Sequence, residues 1–155
     1  METLSEKPAR LLVRATLIVG TLDLFSAITY ALFDAKNPLG VPVGIASAIW
    51  PGALKTPLPA IPLGVLLHFA IMLAMVAVFV AVARRIPRLA AQPVLSGALY
   101  GLLLWAVMYL VVLPLRWPAL FPHFTAVSFA EQMFSHIALV GIPLAWMTRK
   151  SLPVR

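Results

Sequence analysis

Cysteine is absent from this chain, and only five of its 155 residues are acidic. The first absence excludes disulfides, thiolate-held zinc, iron–sulfur clusters and a cysteine nucleophile, while leaving the compartment open. The second goes with a charged content of only 11%. A soluble domain carries about 25% charge, so there is too little here to clothe a core in water. Hydrophobic residues make up 62% of the chain and mean hydropathy is +0.99, so lipid is the main solvent. No lipidation motif is present. What charge there is runs basic, with 12 Lys and Arg and a net +7. A nucleic-acid partner would need a basic face interleaved with aromatic residues. The basic residues instead fall between apolar runs, where they set membrane orientation, and nucleic acid is excluded as a partner.

Four apolar runs are long enough to cross a bilayer, which takes about 20 helical residues at 1.5 Å each for a hydrocarbon core of roughly 30 Å. They are expected at 11–33, 62–83, 93–115 and 127–147. Lys7 and Arg10 ahead of the first run resemble the start of a secretory leader. Asp23 in the middle of that run, and its length, predict a retained helix instead. The stretch 34–61 is interrupted by Pro38, Pro42, Pro51, Pro57 and Pro59. Within it 43–54 is apolar but only about 18 Å long as a helix, too short to span. It is expected as a short interfacial or re-entrant helix in the first extracytoplasmic loop, with Trp50 at the interface. The fold class is thus an all-α membrane protein, a four-transmembrane-helix bundle forming one domain over 1–155.

Orientation follows from the basic residues. Lys7, Arg10 and Arg14, then Arg84, Arg85 and Arg88, then Arg149, Lys150 and Arg155 would share one side. Lys36, Lys55 and Arg116 would lie on the other. Nine against three places both termini in the cytoplasm.

The fourth run holds the least expected chemistry. Ser128, Glu131, Gln132, Ser135 and His136 interrupt it, and at helical spacing they share an arc of about 140°. Lipid cannot solvate such a band, so it should face other helices or a wet cavity. Asp23 near the midplane of the first run costs roughly 2.5 to 3.5 kcal/mol on insertion scales, and should be protonated or partnered. His68 sits in the outer half of the second run, with Met72 and Met75 close to the same face. Gly97 and Gly101 form a GxxxG pair, a spacing that lets helices pack closely. Pro143 removes the backbone bond to Leu139 beside the polar band, leaving either a fixed bend or a kink that opens a cavity.

Gly20-Thr-Leu-Asp23, Ile45-Ala-Ser47, His68, Gly97-x-x-Tyr100-Gly101, Met108, Pro114-Leu115, His136 and Val140-Gly-Ile-Pro143 follow one another in order. Over 16–147 this pattern resembles a group of small four-span bacterial inner-membrane proteins, broadly similar to the YagU-like proteins. It lacks their Pro-Pro-Arg element. The resemblance implies a bacterial inner membrane and four helices, and brings no activity with it.

Three functional readings follow. Asp23, His68, Glu131, Gln132, Ser135 and His136 would form a polar intramembrane site for a small ligand, proton or solute, without catalysis. No Ser lies in a nucleophile motif, and a His–Glu pair without a third ligand makes a poor zinc site. Alternatively the chain is an accessory subunit of a larger membrane complex or a homo-oligomer, using Gly97 and Gly101 or its Trp-bearing faces for contact. In the third reading His68 and His136 are axial ligands of a haem in a membrane cytochrome. Against it, each histidine would hydrogen-bond to Asp23, Glu131 or a backbone carbonyl.

Overall fold

A computed structural model describes residues 8–151, so the basic residues Lys7 and Arg155 lie outside it. The described residues form α1 (Pro8–Phe33), α2 (Gly40–Ala46), a 3₁₀ turn (Pro51–Lys55), α3 (Pro57–Arg85), α4 (Pro87–Ala91), α5 (Pro93–Arg116) and α6 (Ala126–Ser151). No strand occurs among them, and α1, α3, α5 and α6 are each long and apolar enough to cross a membrane. This is an all-helical, multi-pass architecture. The ends of α1 and α6 meet where Arg14 donates to the Ser151 hydroxyl at 3.3 Å, so both chain ends share one end of the bundle. The connections 34–56 and 117–125 occupy the other, here called the loop end.

Proline sets most of the helix starts. α1, α3, α4 and α5 all open on it, because the first turn has no partner for its N–H groups and a fixed φ suits the first position. This moves the start of the second span from 62 to Pro57. Pro57 and Pro59 fall among the orphan donors, and only Pro62 removes a bond from the ladder. The expected helix over 43–54 is broken into two pieces. Pro51 drives Trp50 to φ −125° and ψ 93°, so α2 stops at Ala46 and a separate 3₁₀ turn follows. α2 lies on α3 with its backbone in contact: a Cβ on Gly64 would run into the carbonyl of Pro42. Val43, Ala46, Ala53 and Ala60 close a small core there.

The main core lies toward the terminal end, with Val19, Val76 and Leu144 fully buried between α1, α3 and α6. α5 joins it through α6, glycine against glycine. A Cβ on Gly97 would meet the Ile142 Cα at 2.6 Å, and one on Gly141 the Gly101 N at 2.9 Å. The GxxxG pair therefore packs α5 on α6.

Two segments depart from α geometry, Met108–Val112 in α5 and Phe134–Gly141 in α6, where the helix widens to π spacing. Each ends two residues before a proline, Pro114 or Pro143. A proline ring clashes with the carbonyl four residues back and offers it no donor, and a widened turn relieves both. The sequences are alike, differing only at Val112/Gly141 and Leu113/Ile142: Leu110-Val-Val-Leu-Pro114-Leu115 and Leu139-Val-Gly-Ile-Pro143-Leu144. Pro143 is thus accommodated by a π stretch that carries His136 on its first turn.

Candidate functional site, a cavity at the loop end

α1 packs on α3 and α6, and α6 on α5, but α3 and α5 approach each other closely at few backbone positions. Toward the terminal end Tyr100 fills that gap. Its hydroxyl donates to Met75 O at 2.7 Å and its ring lies 4.9 Å from Phe79. Toward the loop end a cavity of about 540 Å³ remains, with Tyr109 of α5 on its wall. Met72, Met75, Leu104 and Val140 lie on its terminal side, and α2 with Trp117 and Phe121 covers the opposite side. Arg116 fastens this cover. Its Nε donates to Ala48 O and an Nη to Ser47 O, both at 2.8 Å, so one guanidinium holds two carbonyls at the end of α2. Ser47 is the C-cap of α2 and Ala48 follows it, and a cation suits the negative dipole end there.

Three of the residues expected at a polar site meet on this cavity from three helices: Asp23 of α1, His68 of α3 and His136 of α6. His68 is buried, and its Nε2 lies 2.9 Å from Gly20 O. A carbonyl only accepts, so Nε2 carries the proton, and in the neutral ring Nδ1 keeps a lone pair. His136 is held the other way round. Its Nδ1 lies 3.0 Å from Gln132 O, so Nδ1 donates and Nε2 keeps the lone pair. Asp23 makes no side-chain hydrogen bond or ion pair among the described residues, and its backbone carbonyl accepts from Ser26 at 2.8 Å. Among the described residues no Lys or Arg lines the cavity.

The rest of the polar band diverges. Ser128 belongs to a capping box at the start of α6, exchanging bonds of 3.0 Å with Thr125. Gln132 turns to α5, where its Oε1 accepts from Trp105 Nε1 at 3.0 Å. Ser135 turns to α1, sharing a hydrogen bond of 2.8 Å with Ser26 and lying 3.2 Å from the Tyr30 hydroxyl. Glu131 is half-buried in the second turn of α6, does not line the cavity and makes no hydrogen bond or ion pair among the described residues. An arc of about 140° is wide enough to face two neighbours and the space between them.

The structure adds a residue that sequence reasoning missed. Tyr109 lines the cavity with its ring 5.8 Å from that of His136, edge to face. An aromatic cluster sets its position, with Trp105 stacked 6.1 Å away and Phe124 beside it. The available signal was Trp105 and Tyr109 at i, i+4, opposite Phe129 and His136 on the next span and Phe124 just before it.

Among the described residues no three His, Asp, Glu or Cys side chains converge closely enough to hold a metal ion. A haem held by both histidines would have to displace or turn over His68, because the nitrogen farther from its backbone is bound to Gly20. The arrangement supplies hydrogen-bond acceptors, aromatic faces and an apolar floor. No protein-family model, curated protein or solved structure matches the chain.

Proposed function

We propose that this chain is a non-enzymatic membrane protein that binds a small molecule in the loop-end cavity. One observation carries the reading: Asp23, His68 and His136, from three different helices, open on one space with hydrogen-bonding capacity left over. Ionisable groups inside a membrane are costly and persist where they serve a site. The cavity's volume of about 540 Å³ falls within the range of small-molecule sites, roughly 300–1,000 Å³. Ser47, which also lines it, donates its hydroxyl to Gly44 O at 2.7 Å, a bond that argues against a nucleophile. Gly97 and Gly101, the pair an accessory subunit would offer to a partner helix, are taken up by α6. The landmark residues fit small four-span bacterial inner-membrane proteins of the broad YagU-like kind. The excess of Lys and Arg at the terminal end supports a cytoplasmic position for that end and an extracytoplasmic one for the cavity.

Gly44 provides the test. It lines the cavity, and a Cβ built there meets nothing within 4 Å. Gly44→Leu should fill space without disturbing α2. Purified by mild detergent extraction and analysed by native mass spectrometry, the unaltered chain should carry a small-molecule adduct that Gly44→Leu loses. An equally loaded Gly44→Leu protein would overturn the proposal.

A further inference from the structure

We infer that the ligand is an apolar organic cation that donates hydrogen bonds, an ammonium on a hydrophobic body. This rests on the reading of the cavity as a binding site. Three acceptors face that space, beside the donors Tyr109 Oη and Trp117 Nε1. In its neutral form each imidazole has its N–H bound to a backbone carbonyl, which leaves a lone pair, Nδ1 on His68 and Nε2 on His136. The Asp23 carboxylate accepts by nature, and among the described residues no Lys or Arg lines the cavity to balance it. An anionic ligand would meet a like charge with no counter-charge. A neutral ligand would leave the carboxylate uncompensated in an apolar setting. An ammonium can donate to all three acceptors, and the rings of Tyr109 and Phe121 offer it cation–π attraction. Leu104, Met72, Met75 and Val140 suit an apolar body.

Three probes of one skeleton separate the possibilities: phenylbutylamine, phenylbutanol and phenylbutanoate, titrated into the full-length protein in lipid nanodiscs by calorimetry, with empty nanodiscs subtracted. The amine should bind at least about tenfold more tightly than the alcohol, the margin of one charge-assisted hydrogen bond, and the carboxylate most weakly. Asp23→Asn should erase the preference for the amine while still binding the alcohol, which also shows that the variant is folded. Alcohol or carboxylate binding as tightly as the amine, with Gly44→Leu blocking it, would overturn the cation class and keep the cavity as a binding site. Failure of all three probes to bind would overturn both.

Discussion

His68 donates its Nε2 proton to the carbonyl oxygen of Gly20 across 2.9 Å, and Gly20 lies one turn before Asp23 on α1. A single bond therefore ties α3 to α1 and fixes which imidazole nitrogen is turned away from the carbonyl. His68→Ala should lower stability by about 0.6 to 1.7 kcal/mol, the range of interhelical hydrogen bonds in a bilayer. Thermal unfolding in detergent reads this directly. An unchanged midpoint would mean that the bond adds nothing to the bundle.

Gly101 and Gly44 should respond oppositely to the same added methyl group. A Cβ on Gly101 would strike the backbone of α6 at the His136 carbonyl and come within 2.8 Å of the Ile137 Cα. Backbone cannot rotate aside, so α5 and α6 must part, and Gly101→Ala should cost about 1–3 kcal/mol. Gly44 has open space at the same distance, so Gly44→Ala should be neutral or stabilise α2 by up to about 1 kcal/mol. Equal melting temperatures for the two variants would contradict this packing.

The contrast also shows what could be read before the structure. The spans were legible because length and hydropathy report the solvent, which is lipid. Their ends were less so, because proline stops a helix interior but opens a first turn, and Pro57 and Pro59 do the latter. Asp23, His68 and His136 stood out as polar groups with no lipid-compatible role, and the structure brings them to one cavity. Glu131, Gln132, Ser135 and Ser128 stood out equally, but a regular 100° per residue cannot say which neighbour each will face. It fails further where Phe134–Gly141 widens to π spacing. Tyr109 and Arg116 were unreadable as site residues for another reason: an aromatic in a span and an arginine at its end have ordinary explanations.

Arg116 has more than an ordinary anchor's part. Its fork on Ser47 O and Ala48 O holds the cover of the cavity, and a lysine can place only one ammonium where two carbonyls wait. Arg116→Lys should therefore loosen α2 by about 1 kcal/mol or more, and Arg116→Ala further. Hydrogen exchange is the measurement. The amides of Ser47 and Trp50, which bond to Val43 O and Ala46 O, should exchange faster in both variants, while amides in the core of α3 stay protected. Unchanged exchange at Ser47 and Trp50 would show that α2 is held by its packing on Gly64 alone.

The absence of native cysteine makes the sidedness of the cavity directly measurable. Lys36→Cys and Arg88→Cys mark opposite ends of the bundle. Lys36 is exposed and paired at 2.7 Å with Asp34 just after α1, and Arg88 is exposed on α4. With the terminal end in the cytoplasm, a membrane-impermeant maleimide should label Lys36→Cys in spheroplasts with an intact inner membrane, and Arg88→Cys only after permeabilisation. Gly44→Cys, inside the cavity, should label from the same side as Lys36→Cys but more slowly, because α2 and Trp117 stand over it. The three rates together decide the matter. Labelling of Arg88→Cys without permeabilisation would invert the chain and turn the cavity toward the cytoplasm. If Gly44→Cys instead labelled as fast as Lys36→Cys, the site would be an open cleft, and the Arg116 fork would cover nothing.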